Sequence, residues 1–178
     1  MSTPKQVRTW IEQAEADLRA SRATAPELAE CHRRYWVQQS YEKAIKAYAL
    51  MRWAGAAADE AEFTRMFLLR HSPLKTIDQP PTPLSKRLHL LRRDVKAFVM
   101  RLDNVDLLLQ IDATTPMNDP GEVSYRYPFI IADGEYVAPA AYEGWDRYQG
   151  NLAGALAAVG RLIGAVKEEL KVFARTPK

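Results

Sequence analysis

The chain has 178 residues, of which 47% are hydrophobic and 26% are charged, and its formal net charge is +3. This composition predicts one globular domain over residues 1–178 and excludes a disordered chain. The one cysteine, Cys31, excludes an internal disulfide framework and a CxxC-type metal or redox site. We therefore expect a cytoplasmic protein that needs neither a metal nor a cofactor.

No targeting or membrane-spanning segment is expected. The first ten residues, MSTPKQVRTW, contain charges and no apolar run, unlike a signal peptide. The most apolar late stretch, LAGALAAVGRLIGAV, is interrupted by Arg161 and is too short to span a bilayer comfortably. We therefore predict no contact with a membrane.

The N-terminal part of the chain predicts two amphipathic helices. Thr3 and Gln6 have the spacing of a capping box, and Pro4 suits the first turn of a helix. Residues 24–27, TAPE, repeat this pattern, and the second helix is expected to reach about Gly55. The apolar positions behind the two starts recur every three or four residues: Val7, Ile11, Ala14 and Leu18, then Val37, Tyr41, Ala44, Ile45, Tyr48 and Met51.

A third helix is predicted after a break around residues 71–73 and a proline-rich run at 79–83. Its apolar residues follow one another at offsets of four and three: Leu84, Leu88, Leu91, Val95, Phe98 and Leu102. The opposite side carries basic residues: Lys86, Arg87, His89, Arg92, Arg93 and Lys96. That side is either a solvated surface or a site for RNA or a nucleotide phosphate.

The C-terminal part predicts a small excursion followed by a long helix. Asp133 and Gly134 separate two short apolar runs near residues 129–137, so we expect a hairpin or an irregular excursion there. From about Ala140 to Phe173 the apolar residues keep a helical period. The predicted fold is all-α, a bundle of four to five long helices.

A stripe of small residues runs along the last helix: Ala153, Ala157, Gly160 and Gly164. Each glycine costs roughly 0.8–1 kcal/mol against alanine inside a helix unless a close contact compensates. The close partner is either another helix of the bundle or the same helix of a second copy across a twofold interface.

A row of polar residues follows the apolar stripe of the second helix. The pairs Gln38 and Glu42, Gln39 and Lys43, and Glu42 and Lys46 are each four residues apart, the spacing at which helix side chains meet. The row is either a solvated face stabilised by these pairs or the lining of a ligand site.

Four short motifs resemble the HEPN family, named for nucleotide binding in higher eukaryotes and prokaryotes. Residues 38–48, QQSYEKAIKAY, resemble the family's Gln-x-x-x-Glu-Lys-Ala-x-Lys-Ala helix. Residues 16–20, ADLRA, are similar to its opening Asp-Leu-x-x-Ala. Residues 71–74, HSPL, resemble its histidine turn, and residues 126–128, RYP, resemble its Arg-Tyr-Pro before the final helix. The motifs occur in the family's order across nearly the whole chain.

The resemblance implies a dimeric nucleotide- or RNA-binding module that works with a partner such as a nucleotidyltransferase, as in toxin–antitoxin pairs. If the polar row of the second helix lines a shared pocket, we expect Lys43 and Arg126 to hold a phosphate while Glu42 orients them. The ligand-binding residues that we predict on this basis are Gln39, Glu42, Lys43, Lys46, Arg126 and Tyr127. The motif RYP has a purely structural alternative, a turn with a buried tyrosine.

The resemblance also implies an alternative, because many members are metal-independent ribonucleases with an arginine and a histidine four to six residues apart. Arg65 and His71 fit that spacing. A histidine can move protons at an RNA 2′-hydroxyl, and an arginine can stabilise charge on the phosphate. Met66 occupies a position that is usually polar in active members, which disfavours catalysis. A dimer with a structural role alone is a further alternative.

Overall fold

The computed structural model describes residues 3–22, 29–53, 59–68, 82–113, 129–130, 136–143 and 151–175. Within these ranges the protein is an all-α bundle, as the sequence predicts. Its helices are α1 (Pro4–Ser21), α2 (Glu30–Arg52), α3 (Glu60–Phe63), α4 (Pro83–Val99), α5 (Val105–Ala113) and α6 (Leu152–Arg175). The helix α3 continues directly into a π-helical turn, Thr64–Leu68. No described helix is long and apolar enough to cross a membrane.

Side chains at the start of α1 and α4 satisfy some of the free N–H groups there. The capping box predicted for α1 is present: the backbone N–H of Gln6 donates to Thr3 Oγ1 over 3.2 Å, and that of Thr3 donates to Gln6 Oε1 over 2.8 Å. A second capping box, between Thr82 and Ser85, starts α4. The predicted start of the second helix, residues 24–27, lies outside the described residues.

The helix α2 lies at the centre of the bundle. The helices α1, α4, α5 and α6 all pack against it, and its side chains are buried around most of its circumference. One of its contacts with α4 is the stacked pair Tyr48 and Phe98, with ring centroids 3.9 Å apart. A helix that is enclosed on all sides buries its polar residues together with its apolar ones.

Two boundaries differ from the prediction. The helix α4 ends at Val99, and Leu102 lies in the following turn rather than in the helix. This turn contains Asn104 at φ 62°, a left-handed conformation that asparagine tolerates better than most residues. The short helix α5, which the sequence analysis missed, begins at the next residue.

The predicted start of the last helix near Ala140 is wrong. Residues Pro139–Ala141 form a single 3₁₀ turn, and Tyr142 is extended. The helix α6 begins at Leu152, where the backbone N–H of Gly154 donates to Asn151 Oδ1 over 2.7 Å. Asn151 therefore provides the N-cap that the apolar period alone did not reveal.

The excursion predicted near residues 129–137, as a hairpin or an irregular segment, contains a short antiparallel pair of strands. The strands β1 (Phe129–Ile130) and β2 (Tyr136–Val137) pair antiparallel, with Phe129 opposite Val137 and Ile130 opposite Tyr136. The Asp133-Gly134 turn expected between them lies outside the described residues.

Candidate functional site

Four of the six predicted ligand-binding residues lie together on α2, within a set of side chains that we call the polar cluster. The cluster consists of Gln38, Gln39, Glu42, Lys43 and Lys46 from α2, with Gln13 and Asp17 from α1. The other two predicted ligand residues, Arg126 and Tyr127, lie outside the described residues.

The contacts within α2 follow the predicted spacing. Gln38 Nε2 donates to Glu42 Oε2 over 3.4 Å, Lys43 Nζ donates to Gln39 Oε1 over 3.1 Å, and Lys46 Nζ forms an ion pair with Glu42 Oε1. Gln39 Nε2 also donates to Glu42 Oε2 over 3.2 Å. The three expected i,i+4 pairs are therefore confirmed.

The cluster also joins α2 to α1. Lys43 Nζ donates to Asp17 Oδ2 over 2.6 Å, and Gln13 Nε2 donates to Asp17 Oδ1 over 2.9 Å. The Nζ of Lys46 lies 5.7 Å from the ring centroid of Trp10, also on α1, within the range of a cation–π contact. Asp17, which lies in the ADLRA motif, is thus the direct contact between that motif and the QQSYEKAIKAY helix.

The interpretation of this polar row as a solvated helix face is wrong. The exposed fraction is 0% for Gln38, 4% for Glu42 and 3% for Lys46. The reason is the central position of α2, which leaves its polar row covered by α1. Burial lowers the pKa of Lys46, while the neighbouring Glu42 carboxylate opposes that shift.

The charges of the polar cluster balance internally. Its two lysines, Lys43 and Lys46, are matched by the two carboxylates of Asp17 and Glu42. A buried charge is tolerated when it is paired and hydrogen-bonded. This arrangement gives the cluster a definite structural role, to hold α1 in register on α2, while ligand contact by Gln39, Glu42, Lys43 and Lys46 stays a prediction.

The basic side of α4 is exposed, apart from one residue. The exposed members, which we call the basic row, are Lys86, Arg87, His89, Arg93 and Lys96. Arg92 differs from the prediction because it is 9% exposed, with its guanidinium carbon 5.9 Å from the ring centroid of Phe67. It lies at the edge of the face that packs on the bundle, where its stem and planar head contribute to packing.

A groove opens between the C-terminal end of α2 and the exposed side of α4. We call it the arginine groove, and its volume is about 360 Å³. The lining residues are Arg52, Trp53, Arg87, Leu90, Leu91, Arg93 and Asp94. Sequence reasoning missed this site, because Arg52 and α4 are separated by about thirty residues of chain and no local period connects them.

The three arginines of the groove have different surroundings. Arg52 Nε donates to Asp94 Oδ2 over 3.1 Å, and Arg87 pairs with Asp59 just before α3. Among the described residues Arg93 makes no hydrogen bond or ion pair. Arg93 is therefore the guanidinium most available to an external anion.

Apolar residues complete the groove. Leu90 is 51% exposed, unusual for a leucine on a helix of this bundle. Trp53 is buried, and its ring stacks on Phe63 with centroids 4.5 Å apart. The groove therefore combines exposed cationic groups with an apolar surface, the composition of sites that hold an anion attached to a less polar body.

The proposed ribonuclease pair is described in part. Arg65 is exposed and lies in the π-helical turn Thr64–Leu68. π-Helical turns are rare in proteins as a whole, and those that occur are often found at functional sites. His71 lies outside the described residues, so the pairing of Arg65 with His71 stays a prediction. In the described part of the chain no group of three His, Cys, Asp or Glu side chains is arranged to hold a metal ion.

The four small residues of the α6 stripe have different surroundings. A Cβ built on Gly160 would lie 3.8 Å from side-chain atoms of Leu18 and Arg22, an ordinary contact within the bundle. A Cβ built on Gly164 would meet none of the described residues within 4 Å, and Ala153 and Ala157 are exposed. Packing within the bundle therefore accounts for Gly160 and leaves the other three positions on the surface.

Tyr35, Trp36 and Trp53 are aromatic residues that could stack on a base, but each contacts another aromatic ring within the bundle. Tyr35 and Trp36 are half-buried, with ring centroids 5.4 Å apart, and Trp53 belongs to the core.

Comparison of the chain with protein-family models, with curated proteins and with solved structures finds no match.

Proposed function

We propose that the protein is a nucleotide- or RNA-binding module of the HEPN type, which acts as a homodimer beside a partner protein such as a nucleotidyltransferase. The observation that supports this proposal best is the basic row of α4, whose five cationic or titratable side chains are exposed. Exposed lysines and arginines on one helix attract a phosphate backbone, and binding of this kind weakens as salt concentration rises.

The polar cluster contributes to this function indirectly. Its lysines are already paired with Asp17 and Glu42, so a phosphate would have to displace a buried carboxylate to reach them. Guanidinium groups on the surface carry no such cost, and they form bidentate contacts with phosphate oxygens. In this proposal the cluster fixes the position of α1 on α2, and the ligand lies against α4.

The homodimer is supported by the surface of α6. Ala153, Ala157 and Gly164 are exposed small residues on this surface, and the exposed Arg161 lies between Ala157 and Gly164. Small residues allow two helix backbones to approach closely, and a twofold axis brings the same stripe of two copies together. This contact would supply the compensation that Gly164 does not receive within one chain.

A metal-independent ribonuclease is the second candidate, favoured by one observation, the exposure of Arg65 on a π-helical turn. In this alternative Arg65 supports charge on the phosphate and His71 transfers the proton. Alanine at either position should then lower the cleavage rate by about 10²–10⁴, with RNA affinity little changed. Incubation of labelled RNA with and without a chelator distinguishes this alternative, since cleavage should persist with the chelator.

The binding proposal is tested by fluorescence anisotropy with a short labelled single-stranded RNA. The double variant Lys86→Gln/Arg93→Gln should bind at least about tenfold more weakly than the wild type, because two charge-assisted contacts are lost. Both residues are exposed, so the melting temperature should stay unchanged. The matched control is Arg8→Gln, an exposed arginine on α1, which should bind as the wild type does. Equal affinity of all three proteins would overturn the proposal.

A further inference from the structure

The arginine groove contains unused hydrogen-bond donors from two different helices. Arg52 at the end of α2 uses Nε for Asp94, and its guanidinium carbon lies 5.7 Å from the centroid of the Tyr48 ring. Arg93 on α4 is unengaged by described residues. A guanidinium carries five N–H donors in a planar fork. Two such forks therefore face one groove with most of their donors available.

The groove is positively charged overall. Its lining contains three arginines, Arg52, Arg87 and Arg93, and one acid, Asp94, so the lining residues carry a net charge of +2. Two carboxylates from outside the lining offset part of this charge: Asp59 pairs with Arg87, and the charge of Glu169 acts on Arg52. The positive charge that the described residues leave unpaired is that of Arg93. The site thus favours an anion, and it retains one carboxylate that competes for Arg52.

The volume of the groove and its apolar surface limit the kinds of ligand that would fit. A volume of about 360 Å³ lies near the lower end of sites for small molecules. The half-exposed side chain of Leu90 offers a contact for a flat or apolar group beside the cationic end. A terminal phosphate presents three oxygens to the two forks, whereas a phosphate inside a chain presents two.

From this geometry we propose that the arginine groove is a site for a terminal phosphate group, held by Arg93 and Arg52, with the attached sugar or base lying over Leu90. This inference rests on the proposed function, because Arg93 also belongs to the basic row. It adds that the chain recognises a phosphate end, carried either by a small phosphomonoester or by the 5′ end of an RNA. Asp94 accepts a hydrogen bond from Arg52 Nε and so competes with the phosphate for this guanidinium.

The test compares the same short RNA with a 5′-phosphate and with a 5′-hydroxyl, by anisotropy at fixed salt. The phosphorylated RNA should bind about tenfold more tightly, because its terminal phosphate gains charge-assisted hydrogen bonds. Arg93→Gln should abolish this difference, and Arg8→Gln should retain it. Asp94→Asn should enlarge the difference, because Arg52 loses its competing carboxylate.

Two further experiments identify which molecule carries the phosphate and which charge state of the phosphate is bound. Competition by adenosine monophosphate but not by adenosine supports a small phosphomonoester, and preference for phosphorylated RNA without such competition supports an RNA end. The preference should shrink below about pH 6, where a phosphomonoester loses its second charge. Equal binding of both RNAs by the wild type, together with no binding of adenosine monophosphate, overturns the inference but leaves RNA binding by the basic row intact. Absence of binding to either RNA overturns both.

Discussion

Lys43 on α2 donates a hydrogen bond of 2.6 Å to the carboxylate of Asp17 on α1. Asp17 is 3% exposed and Lys43 is 19% exposed at their side chains, so the pair lies at the solvent-facing edge of the polar cluster. The main helix–helix contact of the bundle is therefore fixed by a directed charge pair as well as by apolar packing. This relationship leads to the first prediction.

Asp17→Ala should lower the free energy of unfolding by about 1–3 kcal/mol, because Gln13 and Lys43 lose their shared acceptor. Denaturation in urea at neutral pH measures the change. Glu15→Ala is the matched control on the same helix, since the pair of Glu15 with Lys167 is partly exposed and should contribute less than about 1 kcal/mol. Equal losses for the two variants would show that burial of the Asp17 pair adds nothing.

Removal of one buried charge from the cluster should cost more than removal of both. Lys46→Met leaves Glu42 buried without its ion-pair partner and should lower stability by about 3–5 kcal/mol. Adding Glu42→Gln removes the uncompensated charge and keeps hydrogen-bonding capacity for Gln38 and Gln39. The double variant should therefore be more stable than Lys46→Met in the same denaturation experiment. A further loss on adding Glu42→Gln would contradict this account.

Stability should fall at alkaline pH through Tyr41. Burial, and then the negative charge of Asp112, raises the pKa of Tyr41 well above its ordinary value. The unfolded state loses this proton near pH 10 while the folded state retains it. The stabilising contribution is therefore fully present below pH 10 and is lost as the pH rises toward the raised folded pKa.

Tyr41→Phe should flatten this fall, as followed by denaturation at a series of pH values from neutral to above 10. The difference between wild type and variant isolates Tyr41 from the other groups that titrate in this range. Tyr35→Phe, on the same helix but half-buried, is the control. A steep alkaline loss that is the same in Tyr41→Phe and in the wild type would refute the assignment.

The exposed stripe of α6 predicts a dimer that depends on Gly164. The wild type should have the mass of a homodimer by light scattering, and Gly164→Leu should shift it toward the monomer. Because a Cβ at this position contacts nothing in the part of the chain that the structure describes, the monomer itself should remain folded. Arg175→Leu, an exposed change at the far end of α6, serves as control. A wild-type monomer would refute the dimer, and a dimer that Gly164→Leu leaves intact would place the contact elsewhere.

Local sequence patterns predicted the helices and the side-chain contacts within a single helix. The capping box of Thr3 and Gln6 and the i,i+4 pairs of α2 depend on residues close in sequence, so spacing was sufficient. The C-terminal end of α4 and the start of α6 were harder, because a left-handed asparagine and a capping asparagine interrupt an apolar period that continues past them.

Burial of the polar row was not predictable from its spacing. Gln38, Glu42 and Lys46 have the composition of an exposed face, and only the packing of several helices around α2 places them inside. The arginine groove was missed for a similar reason, since it forms where Arg52 and α4 meet in space. Its best sequence signal was the apolar Leu90 within the basic side of α4.

The central claim, that the basic row of α4 contacts a phosphate backbone, is tested most directly by the salt dependence of RNA affinity. The logarithm of the binding constant falls with the logarithm of salt concentration by about 0.7 per phosphate contact on a single strand. Lys86→Gln/Arg93→Gln removes two contacts, so the account predicts a slope shallower than that of the wild type by about 1.4, with Arg8→Gln unchanged. A slope that is the same in all three proteins would contradict the claim.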